Sequence, residues 1–151
     1  MSQTLRLFHY ASKRIDRLHG TGYAQLRDQM KPVGLWLSVG RAWQRWCEAE
    51  DFHLEDLRRL HYVWVRRDGL LILRSERDID RFTREYLDAA ATSEYRSIDW
   101  GKVAARYTGI VIAPYCWKRR MAHHTSWYYT WDCASACVWD LSIIDNIQAK
   151  P

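Results

Sequence analysis

The sequence predicts an α+β fold, formed by a single domain over residues 1–151. Its length of 151 residues is typical of one domain, and no repeat, low-complexity tract or linker divides the chain. The predicted helices and strands do not alternate regularly, as repeated βαβ units would require. Several short strands are instead expected late in the chain. These observations favour helices and strands packed together as an α+β unit.

In the first half of the chain, strand patterns precede helical ones. Leu5 to His9 alternates apolar and polar residues, and the apolar segment 34–39 follows Pro32. Trp43 and Trp46 have helical spacing. The expected elements are a strand over 5–9, a helix over 11–18, a strand over 34–39, a helix opening at residue 38 or 40, and a helix over 51–60.

The second half predicts two helices between short strands. Residues 67–69 separate two apolar runs, which predicts a hairpin or a bent strand. Asp99 is the expected cap of a helix. The expected elements are strands over 62–66 and 70–74, a helix over 76–86, a helix over 98–107, a strand over 109–113, and two strands or one bulged strand over 127–131 and 136–141.

The composition excludes several classes of protein. Hydrophobic residues form 48% and charged residues 27% of the chain, as in ordinary globular domains. No apolar run reaches the roughly 18 residues of a membrane span, and no secretory signal opens the chain. We therefore expect a cytoplasmic monomer without a membrane partner. The four cysteines are expected to be reduced, and the spacing of Cys133 and Cys137 does not form a zinc knuckle, so no metal is expected.

Net charge leaves two interpretations open. The formal charge is +5, and the excess of basic residues lies in the first half of the chain. Most of these bases are arginines, whose planar guanidinium suits phosphate groups. The alternative is a solvated surface of mixed charge, because acids such as Glu48 and Asp51 lie among the arginines.

Three segments carry a resemblance to a known family. Residues 7–12 (LFHYAS) form an apolar strand that ends in His followed by small or hydroxyl residues. Residues 34–38 (GLWLS) precede Trp43 and Trp46. Residues 107–111 (YTGIV) and 137–144 (CVWDLSII) close the pattern. In this order the segments resemble the H-Y-E branch of the ADP-ribosyltransferase-like superfamily, and the resemblance covers most of the chain.

The resemblance implies a fold, a substrate and a reaction. The implied fold is a split β-sandwich with flanking helices around a cleft for NAD. The implied reaction is that of a glycosyltransferase: a mono-ADP-ribosyltransferase moves ADP-ribose from NAD, its substrate, to a macromolecule. The residues that match the cofactor-binding positions are His9, Tyr10, Ser12, Trp36, Ser38, Trp43 and Trp46.

These residue types suit NAD on physical grounds as well. The oxidised nicotinamide ring is a flat cation, and each cation–π contact with an aromatic face contributes roughly 0.5–2 kcal/mol. Trp36 with Trp43 or Trp46 would form such a slot. His9 would bind a ribose hydroxyl, and Arg14 would neutralise the pyrophosphate. The alternative is that the tryptophans fill the core and that a backbone carbonyl satisfies His9.

Asp132 is the expected catalytic acid, together with His9. Cleavage of the nicotinamide bond builds positive charge on the ribose, which a carboxylate stabilises. The family pattern expects Glu where Ser135 stands, and the nearest acid upstream is Asp132. In a regular strand Asp132 would face away, so it can serve only if residues 133–135 bulge or turn. Otherwise Asp132 is a turn-forming residue.

A second cluster mixes cations with aromatic residues over 115–131. Trp, Tyr and Arg are the usual anchors of protein interfaces, and the same mixture stacks bases of single-stranded nucleic acid. In the family resembled, the target-binding loop precedes the final strand, which corresponds to residues 118–126 here. We expect a protein target, with nucleic acid as the alternative. A non-catalytic binding module on the same fold is the alternative function, and RNA-directed chemistry is a third interpretation.

Overall fold

The computed structural model describes residues 3–91 and 94–151. Its strands are β1 Thr4–Ala11, β2 Leu35–Ser38, β3 Arg59–Arg66, β4 Leu70–Leu73, β5 Gly109–Ile112, β6 Ser135–Val138 and β7 Ile144–Ala149. Its α-helices are α1 Ala42–Glu50, α2 Glu76–Tyr86, α3 Trp100–Ala104 and α4 Trp117–Arg120. Short 3₁₀ segments lie at Leu54–Leu57, His123–Thr130 and Leu141–Ile143. Within the described ranges, the helices lack the length and apolar composition that a bilayer crossing requires.

The strands of the described ranges form an open, seven-stranded mixed sheet. Their order across the sheet is β4-β5-β6-β2-β1-β3-β7. Strands β4 and β5 run parallel, and the other neighbours are antiparallel. The molecule is therefore an α+β protein, as the sequence predicted.

The strand pairing in the sheet is shortest where β1 meets β2. Strand β1 aligns with β3 along its whole length, and β2 aligns with β6 from Leu35 to Ser38. Across the described residues, β1 and β2 align at one pair, Phe8 with Ser38. We call this junction the seam. It divides the sheet into a β4-β5-β6-β2 half and a β1-β3-β7 half.

Each face of the sheet carries its own core. Successive residues of a strand point to opposite faces, so Ile110 and Ile112 enter one core and Val111 enters the other. The first core is aromatic and packs α2 and α3 against the sheet. Its large members are Phe82, Tyr86, Trp100, Trp127, Tyr128, Trp131 and Trp139. The second core is aliphatic and includes Leu7, Leu37, Val63 and Val65.

Helix α2 follows directly from its sequence and confirms the helix predicted over 76–86. Ser75 caps it by accepting a hydrogen bond from the Asp78 amide. The buried residues are Ile79, Phe82, Thr83 and Tyr86. Their spacing of three and four residues places them on one helical face. Asp99 likewise caps α3 through the Lys102 amide, as expected, although α3 ends at Ala104.

Two predicted helices are wrong. Residues 12–18 form an irregular segment that is exposed except for the half-buried Ile15 and Leu18. The Ile15 amide donates to the buried His61 ring instead of to a helical carbonyl. Over 51–60, left-handed backbone at Asp51 (φ 51°) and His53 (φ 44°) interrupts any α-helix. A 3₁₀ turn follows, and Leu60 already belongs to β3.

The observed strands differ from the predicted strands in three places. Strands β3 and β4 are not a hairpin, because β4 pairs in parallel with β5 in the other half of the sheet. Residues 127–131 are not a strand, since the consecutive Trp127 and Tyr128 are both buried in one aromatic core by a 3₁₀ turn. Strand β7 was not predicted, because its exposed edge positions are polar and Ile147 is its buried residue.

Candidate functional site

A crevice of about 260 Å³ opens at the seam. Six of the residues predicted for the site line it, and two do not. The lining residues are His9, Tyr10, Trp36, Ser38, Trp43 and Asp132. Ser12 lies exposed beyond the end of β1, and Trp46 packs behind Trp43. Strands β1 and β2, the start of α1 and the segment before β6 therefore meet at this point.

His9 bridges the seam with its side chain. Its Nδ1 lies 2.9 Å from the Trp36 carbonyl oxygen, which only accepts, so Nδ1 carries the proton. Burial lowers the pKa of His9, which favours the neutral ring with Nε2 as an acceptor. Behind it, the buried His61 accepts the Ile15 amide through Nε2 and meets the His9 carbonyl through Nδ1. These bonds hold the end of β1 in place.

Indole rings form the walls of the crevice. Trp36 is half-buried and meets the buried Trp131 edge to face, with ring centres 4.8 Å apart. Trp43 also lines the crevice and stacks on Trp46 at 5.1 Å and 15°. Phe52 packs against the outer side of that stack. Trp36 and Trp43 therefore border the same space, and Trp46 supports Trp43 from behind.

Asp132 reaches the crevice because the chain bends before β6. Residues 133 and 134 form a bend, and Ser135 donates its hydroxyl to the Cys133 carbonyl across that bend. Asp132 lines the crevice while β6 itself begins at Ser135. Its carboxylate accepts from both terminal nitrogens of Arg120 at 3.3 Å. Asp132 was expected to face the site only if residues 133–135 bulge or turn. The bend at residues 133 and 134 meets that condition.

Lys31 adds a cation to the crevice. Its Nζ lies 5.1 Å from the centre of the Trp36 ring. Although the residue as a whole is exposed, its ammonium group lies against the crevice wall, and burial there lowers the pKa of Lys31. The Asp132 carboxylate acts in the opposite direction. A cation over Trp36 is thus already part of the site.

The hydroxyl groups of the crevice are held by local bonds. Ser38 donates to the Gly40 carbonyl at 2.8 Å and accepts the Trp43 amide at 2.9 Å. It therefore fixes the start of α1. The Tyr10 hydroxyl donates to Gln44 at 3.3 Å, and burial raises the pKa of Tyr10. Both residues position α1 against β1.

The thiols of the chain are not activated. Burial raises the pKa of Cys133, which lines the crevice, to about 12, and that of Cys47 to about 11. Burial also raises the pKa of Cys116 and Cys137. All four are free and buried. Because a thiol reacts as its thiolate, this environment disfavours nucleophilic cysteine chemistry at neutral pH.

Potential metal ligands converge away from the crevice. Among the described residues, His53, Glu55 and Asp56 are the group whose ligand atoms lie within 4.8 Å of one another. All three are exposed, and His53 already contacts Glu55 at 3.2 Å. Cys133 and Cys137 do not belong to this group.

Arg119, Arg120 and His124 of the segment 118–126 are paired with acids. Arg119 binds Asp80 through two bonds of 2.7 Å, and His124 meets the same carboxylate at 2.9 Å. Arg120 binds Asp132 and lies 4.9 Å from the Tyr129 ring centre. The expected pyrophosphate partner Arg14 instead pairs with Asp16 and is not a crevice residue. The exposed residues of this segment are Lys118, Met121, His123 and His124, and the exposed Trp117 and Tyr129 flank it.

The Asp80 pair predicts a loss of stability in acid. Hydrogen bonding to Arg119 lowers the pKa of Asp80 from 3.8 to about 2. The folded state therefore stays ionised where the unfolded chain already binds a proton, so the stabilisation is present above pH 3.8 and is lost as pH falls toward 2. We expect acidification from about pH 5 to about pH 2 to cost the native chain about 1–2 kcal/mol more than Asp80→Asn. Urea unfolding at both pH values measures this, and equal losses would contradict it.

Sequence reasoning missed some crevice residues and found others. Lys31, Trp131 and Cys133 were not proposed, nor was Arg120 as the partner of Asp132. The proximity of Lys31 to the family-like segment at 34–38 was an available signal. No signal placed Trp131 against Trp36, because that contact joins segments far apart in the chain.

Comparison with known proteins assigns no family to this arrangement. No protein-family model, no curated protein and no solved structure matches the chain. Functional inference therefore depends on the residues that meet at the seam.

Proposed function

We propose that this chain binds NAD in the seam crevice and transfers ADP-ribose to a macromolecular target. One observation carries the proposal: His9, Trp36, Trp43 and Asp132 come from separate segments and border one open crevice. An aromatic slot, a hydrogen-bonding imidazole and a carboxylate are what the reaction requires at one place. The seam also supports the finer proposal of a split β-sandwich.

The aromatic walls suit the nicotinamide end of NAD. The oxidised ring is flat and cationic, and indole faces attract cations. Lys31 already sits over Trp36, so this wall is compatible with positive charge. We infer that the nicotinamide enters between Trp36 and Trp43 and takes the place of the Lys31 ammonium.

His9 and Asp132 have separate roles in the proposed reaction. The Nε2 of a neutral His9 accepts a hydrogen bond from a ribose hydroxyl and orients the sugar. As the bond between ribose and nicotinamide breaks, positive charge develops on the ribose and nicotinamide leaves as a neutral amide. The Asp132 carboxylate stabilises that charge, and Arg120 holds the carboxylate in place. A nucleophile of the target then bonds to the anomeric carbon and loses its proton.

The surface beside the crevice favours a protein target. Trp117 is 68% exposed, Met121 78% and Tyr129 51%. Arg120 connects this surface to the crevice, since it contacts both Tyr129 and Asp132. The paired arginines of this segment are less suited to phosphate groups than free ones. A non-catalytic protein-binding module on the same fold is the second candidate, because the same exposed side chains would serve it.

The first test is whether NAD binds at Trp36. We expect NAD to raise the melting temperature of the native chain and of Trp117→Leu, but to raise that of Trp36→Leu much less. Trp36→Leu removes an indole wall of the crevice, whereas Trp117 is 68% exposed and does not line it. Differential scanning fluorimetry against NAD concentration measures the shift. A shift that is absent in the native chain, or that is unchanged in Trp36→Leu, would contradict the proposed site.

A further inference from the structure

Lys31 places an amine inside an aromatic crevice. It lies in the segment that leads into β2, and its Nζ projects over Trp36. The crevice that it lines is open and also contains Trp43 and Asp132. A small molecule that enters between the indoles therefore reaches the amine.

The surroundings of this amine lower its pKa and so increase the fraction of its neutral form. Its Nζ lies over the Trp36 ring in a crevice where five of the other eleven lining residues are Phe, Tyr or Trp, and burial lowers the pKa of Lys31. The Asp132 carboxylate is near enough to raise that pKa in part. Among the ion pairs of the described residues, Asp132 is paired with Arg120, and none within 4.0 Å involves Lys31. The Lys31 amine thus interacts electrostatically with the Asp132 carboxylate but does not form an ion pair with it.

A partly desolvated lysine amine beside a carboxylate that is held by Arg120 has a specific reactivity. Neutral lysine amines attack carbonyl carbons, and desolvation is one of the ways in which proteins activate them. The crevice walls select the shape of the reactant, because stacking between indoles favours a flat ring. A flat ring that stacks between the indoles and a carbonyl carbon that the Lys31 amine can attack together define one class of compound.

We propose that Lys31 forms an imine with a flat aromatic aldehyde bound between Trp36 and Trp43. The neutral amine nitrogen bonds to the carbonyl carbon and gives a carbinolamine. A proton passes from the nitrogen to the oxygen with Asp132 as the relay, and water leaves as the carbon–nitrogen double bond forms. This reactivity uses the same crevice as the proposed NAD site but requires no NAD.

The chain supplies its own controls. The other lysines are Lys13, Lys102, Lys118 and Lys150, all of them exposed. None of the four lines the crevice. Lys102 is the closest match, because its Nζ lies 5.6 Å from the Tyr86 ring centre, yet it lies outside the crevice and contacts the Glu85 carbonyl.

Competitive labelling of the native chain tests this inference. The protein is treated with limiting pyridoxal, a flat aromatic aldehyde, and then with borohydride, which reduces the imine. Peptide mass spectrometry quantifies each lysine. We expect Lys31 to be labelled several times faster than the mean of the other four, since each unit of lowered pKa raises the free-amine fraction about tenfold. We expect Trp43→Leu to reduce labelling of Lys31 while leaving Lys102 unchanged.

A second aldehyde separates binding from mere reactivity. Propanal has no ring to stack, so its preference for Lys31 should be smaller than that of pyridoxal. Labelling of Lys31 no faster than of the other lysines would overturn the inference, and so would an equal preference with both aldehydes. Because no NAD is present, either result leaves the transferase proposal to its own test.

Discussion

Replacing Trp127 by alanine is expected to lower the free energy of unfolding by about 3–5 kcal/mol. Trp127 is fully buried, with Phe82 at 5.3 Å and Trp100 at 5.9 Å between ring centres. Its indole nitrogen donates to Thr83 at 2.9 Å. Alanine would leave a cavity beneath α2 and remove that donor, so the lost burial and the cavity both contribute. Urea unfolding monitored by circular dichroism measures the change.

Trp117→Ala is the matched control for this change. Trp117 is 68% exposed, so the same substitution removes little buried surface. We expect its effect on the free energy of unfolding to stay within about 0.5 kcal/mol. Similar losses in the two variants would mean that Trp127 does not hold α2 to the sheet as described.

Asp132→Asn is expected to reduce transfer of ADP-ribose at least about 100-fold if the proposed function is correct. Asparagine keeps nearly the same shape but carries no charge to stabilise the developing cation on the ribose. NAD should still bind, since the indole walls are unchanged. Incubation of the pure protein with labelled NAD and a lysate measures transfer, and nicotinamide release measures bond cleavage independently of the target.

The control for this experiment is Asp16→Asn. Asp16 is exposed and pairs with Arg14 away from the crevice, so transfer should not change. Thermal unfolding of both variants checks that each is folded. Transfer that persists in Asp132→Asn would remove Asp132 from the chemistry. NAD binding by the native chain without either transfer or nicotinamide release would instead favour the non-catalytic module.

The elements that the sequence predicted well are those whose pattern is local. Helix α2 combines a Ser cap with buried residues every three to four positions, and β1 alternates in a strand period. The pairing of β4 with β5 joins residues about 40 positions apart, so the local turn at Gly69 suggested a hairpin with β3. The aromatic run around Trp127 resembled a strand because aromatic residues favour strands, but the core required consecutive buried side chains.

The crevice was predictable in part because its residues lie in three short segments. His9 and Trp36 were identified through those segments, and both line the crevice. The position of Asp132 in the crevice depends on the bend at residues 133 and 134. The sequence showed that such a bend was required but did not predict it. The pairing of Arg120 with Asp132 depends on a contact that no local pattern encodes, whereas Lys31 lies five residues before Trp36 and was open to prediction. Ser12 and Trp46 were close in sequence to crevice residues but point elsewhere.

The seam has a consequence for cooperativity. Phe8 and Ser38 are the aligned pair that joins the two halves of the described sheet, and the His9 ring adds a bond to Trp36. The strands thus share fewer aligned pairs across the seam than within either half, and the aliphatic core is what both halves have in common. We expect a ligand that contacts both β1 and β2 to stabilise the two halves together, because it binds only while both are folded.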